Sequence, residues 1–169
     1  MKSNLKFFKN KKILPVDEFF HNVLYDKKFG YYNSKSPFGK KGDFITSPKI
    51  SNIFSEMIAI WIVSTWEAFG EPKYFNIVEL GPGDASMINI ILKVFEKFPK
   101  FNNSKKIFLY EKSEYLKKKQ KSLLKNKVTW IKDYTKIKKG PVIFFGNEFF
   151  DAIPIKQFKR KGKVYFEKY

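Results

Sequence analysis

The sequence predicts an α/β protein built on a doubly wound parallel sheet. The first observation is a regular alternation of strand-like and helix-like segments from Tyr74 onwards. The second is a glycine turn, Gly81-Pro82-Gly83, placed between an apolar strand and an amphipathic helix. The third is that carboxyl-bearing residues follow three of the predicted strands, at the ends where open parallel sheets bind their ligands.

The predicted strands are short apolar runs, and the predicted helices have apolar residues at helical spacing. Ser113 is expected to cap its helix with its hydroxyl group. The predicted strands are residues 74–80, 106–110, 128–131 and 142–145, and the helices run from about 85 to 98 and from about 114 to 124.

Two helices are predicted before the sheet. The first begins at Pro15 and ends near residue 25, and residues 29–32 are predicted to form a turn or a short strand. The second helix ends at Gly70, because glycine commonly terminates helices.

A hairpin is predicted after the sheet, in residues 156–168, with its turn at Lys161-Gly162-Lys163. The predicted organisation is a basic arm over residues 1–14 and one domain over residues 15–169.

The composition indicates a folded chain. Apolar residues make up 43% of the sequence, and 20 Phe and 9 Tyr supply large side chains for a core. No cysteine is present, which excludes disulfides, thiolate catalysis and cysteine-ligated zinc, and no metal site is predicted. No apolar run reaches the ~18 residues of a membrane-spanning helix.

The net charge of +18 admits a polyanion such as RNA as a partner. Of the 34 basic residues, however, only Arg160 is arginine, which leaves 33 lysines. Recognition of bases and phosphates favours the planar arginine fork. We therefore favour a compositional bias over a nucleic-acid partner, and an RNA-binding module stays an alternative.

The segment from Glu79 to Gly83 has the features of a ligand-binding turn. Glycines let the backbone pass close to a ligand, and free N–H groups at the start of the next helix face it. A dinucleotide site more usually has the form G-x-G-x-x-G, whereas this segment has the form E-x-G-x-G. The alternative is an ordinary connection between a strand and a helix.

Acidic residues also follow the second and fourth strands, as Glu111 and within Asn147–Asp151. Because ligands of such sheets bind at the carboxyl ends of the strands, we expect these residues and Glu79 to converge in space.

Several segments are similar to those of a known methyltransferase family. The segments GDFITSPKIS (42–51) and NEFFDAIP (147–154) are the longest and most unusual; FGYY (29–32), VELGPG (78–83), YEKS (110–113) and QF (157–158) add to them. On these residues the chain resembles the MidA-like methyltransferases, which include the mitochondrial complex I assembly methyltransferase. The resemblance implies a Rossmann-like class I S-adenosylmethionine (SAM) methyltransferase sheet with N-terminal helices, and SAM as cofactor.

The resemblance runs from about residue 15 to the end of the chain, but it covers only about the first half of a family member. Because family members continue and complete a seven-stranded sheet, we expect a sheet truncated after the fourth strand. The chain is then expected to be a fragment, the product of a truncated gene, or one part of a split protein. The alternatives to an active enzyme are a non-catalytic fragment or assembly partner, and an RNA methyltransferase module.

Three residues depart from the family pattern. Asp84 and Ala85 stand where the family usually has arginine and glycine, and Lys49 stands where it usually has glutamate. A methyl group at Ala85 is tolerated if φ is negative and costs more if φ is positive. We expect these changes to weaken cofactor binding.

The resemblance implies roles in cofactor binding for residues at the strand ends. Glu111 is expected to accept hydrogen bonds from the ribose hydroxyls, and Glu79 to orient the turn or bind the methionine amino group. The turn itself consists of Gly81, Pro82 and Gly83.

Three further residues complete the implied cofactor site. Asp133, after the third strand, is expected to bond the adenine amine. Asp43 and Thr46 are expected to close over the cofactor as a lid, with a structural turn as the alternative.

The implied catalytic residues are Asn147, Glu148 and Asp151. The family is associated with arginine dimethylation on a complex I subunit, and carboxylates can hold a guanidinium in bidentate fashion while one nitrogen faces the methyl group. The implied partner is therefore a protein substrate such as a complex I subunit. The expected location is the cytoplasm if the source is bacterial and the mitochondrion if it is eukaryotic.

Overall fold

The structure, a computed structural model, describes residues 13–34, 51–137 and 139–169. By their contacts these residues form two compact units. Residues 51–147, without 138, form what we call the sheet unit. Residues 13–34 and 148–169 form what we call the hairpin unit.

The sheet unit contains four parallel strands in the order β3-β2-β1-β4. The predicted α/β class with a parallel sheet is therefore confirmed. Strands β2 and β4 lie on opposite sides of β1, so the strand order reverses there and the topological switch point falls at β1. The strands are β1 Phe75–Leu80, β2 Lys105–Tyr110, β3 Thr129–Ile131 and β4 Val142–Phe145.

The central strand β1 is the most buried strand of this sheet, with five of its six residues buried. Strand β4 pairs with β1 through Asn76 to Glu79. Strand β2 pairs with all six residues of β1. This register places the last residues of β1 between the ends of two neighbouring strands.

The described residues of the sheet unit also form four α-helices. Ser51 caps the first by accepting a hydrogen bond from the Ile53 amide (3.2 Å). Ser113 caps the last by accepting one from the Leu116 amide (3.1 Å), which confirms the predicted cap. The helices are α3 Asn52–Ala68, α4 Ser86–Phe95, α5 Pro99–Ser104 and α6 Glu114–Leu124.

The short helix α5 was not predicted from the sequence, which favoured a single helix to residue 98. The chain begins a new helix at Pro99, because proline lacks an amide hydrogen and suits a first helical position. This helix buries Phe101 completely. The centroid of its ring lies 4.7 Å from that of Phe95 and 5.4 Å from that of Trp66. The aromatic contacts explain why so short a helix is ordered.

The hairpin unit contains helices and a two-stranded antiparallel sheet. Its elements are α1 Val16–Tyr25, α2 Tyr31–Ser34, a 3-10 turn at Phe150–Ala152, β5 Phe158–Lys161 and β6 Val164–Glu167. The hairpin turn at Gly162 and Lys163 confirms the prediction, and Gly162 supplies the positive φ. The predicted turn or short strand at residues 29–32 is wrong in part, because helix α2 begins at Tyr31.

Contacts within the hairpin unit join its N-terminal and C-terminal segments. The Tyr25 hydroxyl donates to the Ala152 carbonyl (2.8 Å), and the Val16 amide donates to the Lys168 carbonyl (3.3 Å).

Within the described ranges, no helix has the length and apolar character needed to cross a membrane.

Candidate active site

A tight turn leads from the end of β1 into helix α4. The Gly81 amide donates to the Tyr110 carbonyl at the end of β2 (2.9 Å), and the Ala85 amide donates to the Pro82 carbonyl (2.8 Å). Gly81 and Gly83 both have positive φ, at 64° and 57°. The turn therefore depends on backbone conformations that glycine adopts without strain.

Ala85 adopts the left-handed conformation, with φ of 64°, immediately before helix α4. Its methyl group is completely buried. The sequence did not determine the sign of φ at Ala85. The structure gives a positive φ, which is the more costly case, because the left-handed region costs an L-residue about 1–2 kcal/mol. The strain lies at the turn that the sequence singled out as a ligand site.

Glu79 lies in the centre of the sheet, paired with Leu109 on β2 and with Phe145 on β4. Its side chain is 2% exposed, and its Oε2 atom has no hydrogen-bond partner among the described residues. Burial, and then the negative charges of Asp84 and Glu111, raise the pKa of Glu79 to about 8. A cation or a hydrogen-bond donor at this atom would relieve an unfavourable burial.

Glu111 follows the last residue of β2, and both of its carboxylate oxygens accept hydrogen bonds. Its Oε1 atom accepts from the Ser113 amide (2.8 Å), and its Oε2 atom accepts from the Gln120 side chain (3.0 Å). Burial raises the pKa of Glu111, while the bonds from Ser113 and Gln120 act in the opposite direction. The carboxylate is thus fixed beside the glycine turn, whose first residue bonds Tyr110.

Gln120 is a site residue that the sequence interpretation missed. It is completely buried, and its Nε2 atom also donates to the Gly83 carbonyl (2.8 Å), while its Oε1 atom accepts from the Trp130 indole (2.8 Å). A signal was present, since Gln120 lies one helical turn from Leu116 and one from Leu124, on the apolar face of α6. A polar residue on such a face requires internal partners.

Asn147 and Asp133 lie on the sheet unit at the ends of other strands. Asn147 is half-buried and follows Phe145, the partner of Glu79 on β4, by two residues. Asp133 is exposed, and its Oδ1 atom accepts from the Thr135 amide (3.0 Å) and hydroxyl (2.6 Å). These two bonds lower the pKa of Asp133 and hold the 3-10 turn Tyr134–Lys136.

The remaining predicted residues lie elsewhere in the chain. Glu148 and Asp151 belong to the hairpin unit and are exposed, and Glu148 has a positive φ of 54°. Asp43, Thr46 and Lys49 lie outside the described residues. Of the predicted site residues, the structure brings together Glu79, the glycine turn and Glu111, with Asn147 following the strand beside Glu79.

Comparisons with known proteins identify the family of the chain. Residues 57–169 match a family model described as "Putative S-adenosyl-L-methionine-dependent methyltransferase". The chain is 34% identical over 165 residues to the Drosophila melanogaster protein arginine methyltransferase NDUFAF7 homolog, mitochondrial, covering 84% of this chain and 38% of that protein. It is 34% identical over 172 residues to the human protein arginine methyltransferase NDUFAF7, mitochondrial, covering 87% of this chain and 39% of that protein.

A similar fold occurs in a solved structure. A crystal structure of a Burkholderia thailandensis protein bound to S-adenosyl-homocysteine superposes with a TM-score of 0.71 at 22% identity, covering 92% of this chain and 41% of that one. The present chain thus spans about two fifths of the length of the relatives it matches.

Proposed function

Since the chain belongs to the family of S-adenosyl-L-methionine-dependent methyltransferases, we propose that it binds SAM at the carboxyl end of its parallel sheet and takes part in methylating a protein. Bound SAM supplies an electrophilic methyl group on a sulfonium centre. The contribution of the chain is to bind, orient and desolvate the reactants.

The observation that carries this proposal is the buried Glu79 carboxyl group. Its Oε2 atom lacks a partner among the described residues, and it lies at the switch point of the sheet. The ammonium group of a methionine moiety matches this atom, because it supplies both a positive charge and N–H donors. The buried carboxyl group therefore fits the cofactor.

Glu111 is the proposed acceptor for the ribose hydroxyls. A carboxylate offers about four lone-pair directions, so its bonds from Ser113, Gln120 and the Lys112 backbone leave room for a further donor. The turn of Gly81, Pro82 and Gly83, in which both glycines have positive φ, brings backbone close to the same place. These residues form the proposed cofactor site within the sheet unit.

Three further cofactor contacts are carried over from the family resemblance. Asp133 is proposed to bond the adenine amine, and Asp43 and Thr46 are proposed to cover the cofactor. Ala85 and Asp84 are expected to reduce affinity relative to family members that have glycine and arginine there.

We propose arginine on a protein as the substrate, because the relatives are named protein arginine methyltransferases. Asn147, Glu148 and Asp151 would hold the guanidinium, and carboxylates suit that group because they accept two parallel N–H bonds. A complex I subunit is the proposed partner. The relatives named above are mitochondrial, which supports that location for a eukaryotic source, and the cytoplasm is proposed for a bacterial one.

Calorimetric titration with S-adenosyl-homocysteine (SAH) tests the proposed cofactor site. We expect saturable binding by the folded wild-type chain, and at least about tenfold weaker binding by Glu111→Ala, because bonds to charged groups contribute about 1.5–3 kcal/mol. Glu114→Ala is the matched control, since Glu114 is an exposed glutamate on helix α6 that pairs with Lys117. A folded wild-type chain without SAH binding would contradict the proposal.

A further inference from the structure

Gln120 occupies an unusual position for a polar side chain. It is completely buried at the centre of the inner face of α6, with Leu116 and Leu124 one turn away on either side. A leucine there would fill this space without needing any partner. The glutamine is instead compensated by hydrogen bonds to three other segments of the sheet unit.

The orientation of the Gln120 amide group is determined by its partners. The Trp130 indole only donates, so the atom that faces it over 2.8 Å must be the amide oxygen. The Gly83 carbonyl and the Glu111 carboxylate only accept when the latter is ionised, so the amide nitrogen must face them. A flipped amide would lose all three bonds.

The same three bonds connect segments that lie far apart in the sequence. Gly83 belongs to the turn after β1, Glu111 follows β2, and Trp130 lies on β3. Both N–H groups of one amide therefore set the distance between the glycine turn and the Glu111 carboxylate. The Ser113 amide fixes the other carboxylate oxygen, at 2.8 Å.

We propose that Gln120 is a positioning residue for the cofactor: it holds the Glu111 carboxylate and the Gly83 backbone in the geometry that accepts the ribose. Trp130 acts through Gln120 by fixing the orientation of its amide. This inference rests on the proposed function, because it assigns Gln120 a role in the same site. It predicts that Gln120 affects affinity through Glu111 rather than through overall stability.

A double-mutant cycle on SAH affinity tests this coupling. The chains are wild type, Gln120→Met, Glu111→Ala and the double variant, each titrated by calorimetry after circular dichroism has shown that it is folded. We expect each single variant to bind SAH about tenfold or more weakly. We expect the double variant to bind SAH more tightly than the product of the two single losses would give, because Gln120 has then lost one of the two groups that it positions.

Leu124→Ala is the matched control for stability. Leu124 lies on the same face of α6 and is buried, but it takes no part in the hydrogen bonds of the Gln120 side chain. We expect this variant to unfold at lower temperature while its SAH affinity stays within about twofold of wild type. A loss of affinity equal to that of Gln120→Met would mean that Gln120 acts only through stability, and would overturn the inference.

Trp130→Phe provides a second route if Gln120→Met does not fold. It removes the donor that orients the amide and leaves Gln120 in place, so we expect a smaller loss of SAH affinity, about threefold, that is reduced in the Glu111→Ala background. Fully additive losses in both cycles would overturn the inference and leave the cofactor site intact. A wild-type chain that does not bind SAH would overturn the proposed function, and the inference with it.

Discussion

The amide of Gly81 donates to the carbonyl of Tyr110 across 2.9 Å, which ties the turn after β1 to the last residue of β2. Glu111 is the next residue, so this bond places the glycine turn beside the residue whose carboxylate is proposed to bind ribose. The parallel register of β1 and β2 extends to this point, through Leu80 and Tyr110. The proposed cofactor site is therefore a direct continuation of the sheet.

The first prediction concerns stability and the buried carboxyl group of Glu79. Its pKa in the folded state is about 8, above its ordinary value of 4.5, so the folded chain retains a proton that the unfolded chain releases. Stability should therefore fall as pH rises from about 4.5 to about 8 and then level off. Glu79→Gln should remove this loss, which amounts to up to about 5 kcal/mol.

Urea unfolding of both chains at about pH 5 and about pH 8 measures this effect. Glu114→Gln is the matched control, because the bond and charge of Lys117 lower the pKa of Glu114. Ionised Glu114 should therefore stabilise the folded chain at pH values above its unfolded pKa, and this stabilisation should be lost in acid. If the difference in unfolding free energy between wild type and Glu79→Gln were the same at pH 8 as at pH 5, the raised pKa of Glu79 would be contradicted.

The second prediction concerns the pH dependence of SAH binding. The ammonium group of SAH should bind the ionised form of Glu79, so affinity should increase with pH up to about 8, by at most about tenfold per unit. Calorimetry in buffers of different ionisation enthalpy should show proton release on binding at neutral pH. Glu79→Gln should bind more weakly and should show neither effect; retention of the wild-type pH profile would argue against contact with Glu79.

The third prediction concerns the strained turn at Ala85. Ala85→Gly relieves about 1–2 kcal/mol of left-handed strain, but it loses a buried methyl group, at about 0.8 kcal/mol, and adds chain entropy of about 0.5–1 kcal/mol. Its stability should therefore lie within about 1 kcal/mol of wild type. Ala85→Val should lose more than about 2 kcal/mol, because a β-branched residue fits this conformation poorly.

Chemical denaturation of the two Ala85 variants measures these differences. A valine variant as stable as the glycine variant would mean that the turn does not hold a positive φ in solution. SAH affinity of Ala85→Gly should equal or exceed that of wild type, since the family usually has glycine at this position.

The fourth prediction separates strain from function at Glu148. Glu148 and Glu71 are both exposed glutamates with a φ of 54°, so replacement of either by glycine should raise stability by a similar amount, roughly 0.5–1 kcal/mol. Only Glu148→Gly should reduce methyl transfer to a protein substrate, while SAH affinity stays unchanged. The readouts are thermal unfolding and transfer of a labelled methyl group from SAM.

Glu148→Asn adds a further control, because asparagine tolerates the left-handed region but lacks the charge. It should lose methyl transfer as Glu148→Gly does. Full transfer by either variant, or by Asp151→Ala, would remove these carboxylates from the proposed substrate site.

The fold was predictable because its signals are local. Strand β4 and helix α6 have the predicted bounds, since an apolar run between turns and a serine cap are both visible in the sequence. The positions of Glu79 and Glu111 also followed, because strand ends of a parallel sheet share one edge. The φ of Ala85 and the orientation of Gln120 could not be predicted, because both depend on contacts between distant segments.

The most direct test of the cofactor site is a titration of the isotopically labelled chain with SAH, followed by amide and indole N–H chemical shifts. We expect the largest changes on Gly81, Gly83, Ser113 and the Trp130 indole, all of which lie at or beside the proposed site. Saturable changes confined to these groups would support cofactor binding at the carboxyl end of the sheet. Unchanged shifts there, or changes confined to the β5–β6 hairpin, would contradict it.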